Sequence, residues 1–186
     1  MTPTRRSQAH NTHQLYTPEQ RVRRDETVWT LVQGILAPLQ FIVFLGSLAL
    51  VIRYLSTGEG YWLASASIVL KTLILYLIMV TGAIWEKVVF GRYLFAPAFF
   101  WEDVFSMLVL ALHTAYLLAL FGGGLDATGL MILALLAYAA YVVNAAQFVW
   151  KLRVARLQSS NHGTTTLQSP KPSASYAPSE VAGGMQ

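Results

Sequence analysis

Four long stretches of this chain are almost free of charge, and they restrict its fold more than anything else in the sequence. Residues 29–52 hold no Asp, Glu, Lys or Arg; residues 61–85 hold one charge, Lys71; residues 104–121 hold one histidine, His113; residues 129–150 hold no charge. Crossing a bilayer as a helix takes about 20 apolar residues, with a usual range of roughly 17–25. At 24, 25, 18 and 22 residues, all four stretches are long enough. In lipid a backbone must satisfy its own N–H and C=O groups, which leaves helices and closed barrels. The sequence lacks the short alternating strands of a barrel. The connections at 53–60 and 122–128 are short, so they join antiparallel neighbours. The expected fold is an all-α integral membrane protein, a four-helix up-down-up-down transmembrane bundle.

Composition agrees. Charged residues are 12% and hydrophobic residues 55% of the 186. That is about half the charged fraction of a soluble domain. It excludes a soluble globular protein, and it excludes disorder of the whole chain. Without cysteine there is no disulfide framework, thiolate metal site, iron–sulfur cluster or cysteine nucleophile.

The basic residues fix an expected orientation. Arg5, Arg6, Arg21, Arg23 and Arg24 precede the first stretch, Lys87 and Arg92 lie in the middle connection, and Lys151, Arg153, Arg156 and Lys171 follow the last. Eleven of thirteen therefore share one side, with Arg53 opposite and Lys71 inside a span. The positive-inside rule puts both termini and the middle connection in the cytoplasm. The net charge of +4 follows this topology and calls for no nucleic acid.

Three regions are expected. Residues 1–27 form a basic arm, with a short interfacial helix opened by Thr17, Pro18 and the capping-box Gln20. Residues 28–157 are the transmembrane domain. Residues 158–186, rich in Ser, Thr, Pro and Gly, are expected to be disordered. The first apolar stretch starts too late and runs too long for a cleaved signal, so it is expected to be retained. Pro38 should kink the first span.

Ionisable groups within spans are costly, which makes them functional candidates. Glu86, Glu102 and Asp103 bracket the middle connection, with Lys87 and Arg92 between them. Seven aromatics crowd the same region: Phe90, Tyr93, Phe95, Phe99, Phe100, Trp101 and Phe105. Asp103, Ser106 and His113 share one helical face, Asn144 and Gln147 another, and Gln33 and Gln40 a third. Counting helical rise puts Gln33, Glu86, Asp103, Ser106, Asn144 and Gln147 in the cytoplasmic half, and Gln40, Lys71 and His113 near the midplane. The far half looks poor in polar side chains. A polar cavity open to the cytoplasm or inner leaflet is expected.

Plainer readings stand beside this one. The acids are also readable as interfacial charges, and the amides as interhelical hydrogen-bond glue. His113 suits a structural hydrogen bond as well as a ligand role. Lys71 suits snorkelling, or a bond to Gln40 or His113. The aromatics fit an interfacial belt, or stacking on a flat conjugated ligand. There is no phosphate-binding glycine loop. One spanning histidine is too few for a bis-histidine haem. Inverted repeats of the transporter kind are absent from the sequence. Acid–base chemistry or binding remains.

Several strings then point to a family. Tyr16-Thr-Pro-Glu-Gln-Arg21, Trp29-Thr-Leu-Val-Gln-Gly-Ile-Leu-Ala-Pro-Leu-Gln-Phe41, Trp85-Glu-Lys-Val-Val-Phe-Gly91, Phe95-Ala-Pro-Ala-Phe-Phe-Trp-Glu-Asp103 and Ala111-Leu-His113-Thr-Ala-Tyr116 resemble the 3-vinyl bacteriochlorophyllide hydratases, called 2-vinyl in older ring numbering. The resemblance covers residues 16–157. It implies a hydro-lyase of bacteriochlorophyll biosynthesis in a phototrophic bacterium, in the cytoplasmic or intracytoplasmic photosynthetic membrane, with other pigment-biosynthesis enzymes as neighbours. Such enzymes add water across the C3 vinyl group of chlorophyllide a, or of a vinyl bacteriochlorophyllide, giving a 1-hydroxyethyl group that is later oxidised to acetyl. Alkene hydration needs no nicotinamide, ATP or haem, so no cofactor is expected. The magnesium belongs to the substrate macrocycle, and no metal site of the protein is expected.

The resemblance supplies no residue roles; the residues themselves suggest them. Glu86 and Asp103 are the expected acid–base pair, with Glu102 as substitute and desolvation keeping one carboxyl protonated. Arg92, or Lys71, would meet a pigment carboxylate. His113 would ligate the substrate's magnesium or orient water. Gln33, Gln40, Ser106, Asn144, Gln147, Phe99 and Trp101 complete the expected substrate site. A non-catalytic pigment-binding or assembly protein is the main competitor. A small transporter would need a polar path to the external side.

Overall fold

A computed structural model of the chain describes the backbone of residues 15–166 and the side chains of residues 15–154. The elements are α1 (Pro18–Glu26), α2 (Val28–Thr57), α3 (Tyr61–Phe90), α4 (Phe100–Gly122) and α5 (Ala127–Thr166), with no strand among the described residues. Four of them are long and apolar enough to cross a membrane: Val28–Thr57, Tyr61–Phe90, Phe100–Gly122 and Ala127–Val154. Their outward faces carry Leu31, Ile35, Ile42, Leu73, Leu118, Phe121 and Val149, a continuous apolar skin. In water such a surface would drive association; in a bilayer it is the solvated face.

The helices outrun the uncharged stretches, for a physical reason. A stretch ends at its first charge, but a helix ends where its backbone is broken. Residues 53–57 contain no breaker, so α2 continues to Thr57 and stops at Gly58, whose φ of 74° is left-handed. Gly91 ends α3 in the same way at φ 82°. The helix also runs through Pro38 without interruption. With no proline before Pro170, α5 stays helical past residue 157 to Thr166, and the rest of the expected tail lies outside the described residues, as do residues 1–14.

The expected capping box forms at Thr17. The Gln20 N–H donates to the Thr17 hydroxyl at 3.3 Å, and the Thr17 N–H donates to the Gln20 side chain at 3.0 Å. One extended residue, Thr27, both closes α1 and caps α2, so α1 turns out of line with α2 and packs on the end of α3. There Arg23 donates to the Val89 carbonyl at 3.5 Å, and Tyr16 stacks on Phe90 with ring centroids 5.7 Å apart. Tyr16, Val89 and Phe99 form a small second core with Trp85, Phe90 and Phe148 around them. Burial pushes the Tyr16 phenol above its ordinary value, with the Arg24 guanidinium pulling the other way.

The main core joins Phe44 and Val51 of α2, Ile68 and Leu75 of α3, Val109 and Tyr116 of α4, and Met131 and Tyr138 of α5. Helices α2 and α3 pack closely as one antiparallel hairpin, and α4 and α5 as another; contact between the hairpins is much sparser. The half of the bundle away from α1 is less apolar than expected. Ser47 is within hydrogen-bond distance of both the Ser67 hydroxyl, at 2.7 Å, and the Tyr138 hydroxyl. Hydroxyls of this kind carry neither charge nor amide to mark them in the sequence.

Candidate active site

Three carboxyl groups meet at the α1 end of the bundle. Glu86 comes from the last turns of α3, and Glu102 and Asp103 from the first turn of α4; they are 5%, 7% and 4% exposed. The two acids of α4 sit at the positive end of its dipole. Residues 91–99 connect the helices, and Phe95 adopts φ 58° within that connection. Left-handed backbone costs a bulky residue on the order of 1–3 kcal/mol and persists only where its surroundings fix it. Here the Phe95 N–H donates to Asp103 Oδ2 at 2.7 Å, and the Ala96 N–H donates to Glu86 Oε2 at 3.2 Å. Two successive amides thus form a small anion nest for two carboxyl groups.

Glu86 and Asp103 are also within hydrogen-bonding reach of each other. Two carboxyl groups packed this closely are an arrangement that can share a proton. Glu102 differs. Lys151 of α5 pairs with its Oε2 at 2.6 Å, and the same ammonium stands 4.9 Å from the centroid of the Phe99 ring. The three acids therefore divide into a close pair and an ion-paired neighbour.

A polar strip continues inward between α4 and α5. Asn144 donates through Nδ2 to the Ser106 hydroxyl at 2.9 Å, while its Oδ1 is buried without a partner, as is Oε1 of Gln147. On the other hairpin Gln33 donates to Thr81 at 2.7 Å, and the Trp85 indole donates to Thr30 at 2.9 Å.

Lys71 and His113 form a separate layer, where all four long helices meet. Lys71 Nζ and His113 Nε2 are 3.2 Å apart, and His113 Nδ1 lies 2.8 Å from the Val109 carbonyl. That geometry assigns the ring proton to Nδ1 and leaves Nε2 to accept from the lysine. Both ring nitrogens are engaged, so neither is free for a substrate magnesium. The ammonium also faces Tyr141, Tyr138 and Phe44, with centroids at 4.0, 5.3 and 5.8 Å. Among the described residues no carboxylate lies within salt-bridge range of it. Gln40 is buried, with Oε1 unpartnered. Fifteen residues of α3 separate Lys71 from Glu86, about 22 Å along the helix.

The remaining candidates divide. Phe99 is buried in the second core. Trp101 is 66% exposed on the outer surface, and Arg92 is exposed in the connection. Sequence reasoning did not assign a site role to Lys151, which lies past the expected end of the fourth span. It also missed the backbone donors of Phe95 and Ala96, which no side-chain pattern marks. The rings around Lys71 had a signal: Tyr138 and Tyr141, three residues apart in a span that carries no charge.

The sequence profile of the 2-vinyl bacteriochlorophyllide hydratase family matches residues 16–154. A 2-vinyl bacteriochlorophyllide hydratase of Cereibacter sphaeroides is 68% identical over 158 residues, covering 84% of this chain and 96% of the relative. One of Rhodobacter capsulatus is 68% identical over 153 residues, covering 82% and 89%. No solved structure matches the chain.

Proposed function

The chain belongs to the 2-vinyl bacteriochlorophyllide hydratase family, and from that premise we propose that Glu86 and Asp103 carry its chemistry. The protein is a multi-pass membrane hydro-lyase of bacteriochlorophyll biosynthesis, adding water to the vinyl group of a magnesium chlorin. The C3 vinyl group of chlorophyllide a, or of a vinyl bacteriochlorophyllide, is the substrate we assign.

The protonated member of the pair gives its proton to the terminal vinyl carbon. The positive charge that develops on the inner carbon is delocalised into the macrocycle. Water attacks there and passes a proton to the ionised member. The pair begins and ends with one proton, now on the other carboxyl group, and the net change is one H₂O added with no redox step. General acid–base assistance of this kind is worth about 10²–10⁴-fold. The mutual contact of Glu86 and Asp103, each also held by a backbone N–H, is the observation that supports the assignment. Glu102, neutralised by Lys151, keeps the pair from facing an uncompensated third charge.

The chemistry calls for no cofactor of the protein's own, and the magnesium arrives with the substrate. The sparse contact between the hairpins offers a flat macrocycle a way in from the bilayer, with Arg92 exposed in the connection between α3 and α4 for a pigment carboxylate. Basic residues on the α1 side support a cytoplasmic position for that end and both termini, in a cytoplasmic or intracytoplasmic membrane.

The test uses membranes carrying Glu86→Gln or Asp103→Asn, supplied with a vinyl chlorophyllide, with products read by mass. Each variant should bind pigment and lose hydration by about 10²-fold or more. Full activity in both overturns the assignment.

A further inference from the structure

We propose that Gln147 and Asn144 hold a two-water file whose leading molecule is the one that adds to the vinyl group. The inference rests on the Glu86–Asp103 reading and extends it to the second reactant.

The register of α4 against α5 carries the argument. Two cross-links fix it: Ser106 with Asn144 at 2.9 Å, and Glu102 with Lys151 at 2.6 Å. Asp103 lies between Ser106 and Glu102 on its helix, and Gln147 lies between Asn144 and Lys151 on the antiparallel one. Gln147 is therefore level with Asp103, and Asn144 sits one turn deeper.

Both residues present an unpartnered oxygen. Asn144 is 9% exposed and spends only its Nδ2 on Ser106; its Oδ1, like Gln147 Oε1, is buried with no partner. A buried polar atom left unsatisfied is costly enough that each one needs an explanation. Gln40 Oε1 is unpartnered too, but only Asn144 and Gln147 lie on the helix that is cross-linked to the one carrying Asp103. An acceptor is filled by a donor. A vinyl group has none, whereas water has two, and buried waters typically make about three hydrogen bonds.

Two waters fit the donor count. The leading water gives one O–H to Gln147 Oε1 and the other to the ionised carboxylate. One of its lone pairs faces the inner vinyl carbon. The water behind it gives one O–H to Asn144 Oδ1 and the other to the remaining lone pair of the leader. On reaction the O–H bond to the carboxylate breaks and the C–O bond forms. The second O–H, on Gln147, becomes the product hydroxyl. Gln147 and Asn144 are thus positioning residues.

The test compares Gln147→Leu, Gln147→Ala, Asn144→Leu and Asn144→Ser in membranes, with vinyl chlorophyllide in water and in water–methanol. Misplacing a reactant by about 1 Å costs roughly 10²-fold. Gln147→Leu should therefore lower kcat by about 10²-fold, and Asn144→Leu by about tenfold, with pigment KM within about threefold of the parent. Dehydration of the alcohol should fall by the same factors, because it passes through the same transition state. Gln147→Ala opens room at the leading position and should raise the ratio of methyl ether to alcohol product. A purely structural amide would not alter that ratio. If the leucine variants fail to reach the membrane, Gln147→Ala and Asn144→Ser decide the matter. Retained kcat with an unchanged product ratio overturns the proposal, and so does a loss of kcat matched by an equal loss of pigment binding. Activity in Glu86→Gln and Asp103→Asn would sink the carboxylate reading instead, and a changed product ratio in Gln147→Ala would still stand.

Discussion

Replacing Lys151 with methionine removes the only cation described within ion-pairing distance of the carboxyl cluster. On the proposed reading, in which Glu86 and Asp103 share one proton, the three acids and Lys151 sum to a net charge of −1; without the lysine they sum to −2. Unit charges about 4 Å apart interact by about 4 kcal/mol at an effective dielectric of 20. The side chains of Lys151 and Glu102 are 25% and 10% exposed, so solvent screens part of that. Stranding one member of a well-buried pair costs about 3–5 kcal/mol; partial exposure here argues for about 2–3 kcal/mol. The unpaired Glu102 charge would then stand beside the pair. Lys151→Met should lower both the thermal midpoint in detergent and the hydration rate. Lys151→Met with Glu102→Gln should recover most of both, since the stranded charge is gone. The measurement is a double-mutant cycle on thermal unfolding, with product formation by mass on the same membranes. If Lys151→Met matches the parent in both, or if the double variant is no better than the single one, the charge accounting is wrong.

Substitutions at Phe95, and in the separate Lys71–His113 layer, probe the site's frame and the core beyond it. Phe95→Pro removes the amide that donates to Asp103 and forces φ to about −65°; stability should fall by about 3 kcal/mol and hydration should be lost, whereas Phe95→Gly, at ease in the left-handed region, should keep activity. His113→Leu leaves a buried lysine without its nitrogen partner and should destabilise by about 3 kcal/mol; Lys71→Met with His113→Leu should regain that stability, and its hydration kinetics should stay near the parent because the layer lies about 22 Å from Glu86.

The sequence made the spans legible because lipid leaves few options. A backbone that cannot bond to solvent writes its solution as long uncharged runs. The position of Glu86 and Asp103 at two helix ends facing one connection was legible for the same reason, since both ends had to come to one membrane face. Which acid takes Lys151 was not legible. That depends on the register of α4 against α5, set by packing at Ser106 and Asn144 and not by local spacing. The nest at Phe95 and Ala96 was invisible because its donors are backbone atoms and its shape depends on one left-handed residue. His113 showed itself as a lone polar group, but the direction of its two bonds emerged only with Lys71 and Val109 in place.

The two hairpins each keep their own internal bonds, Gln33 to Thr81 in one and Asn144 to Ser106 in the other. The proposed acid–base pair is divided between them: Glu86 belongs to the first hairpin and Asp103 to the second. On the proposed reading the seam between the hairpins runs through the chemistry itself. Any displacement of α3 from α4 would also part the two groups that must share a proton, so holding the hairpins together is a condition for activity as well as for stability.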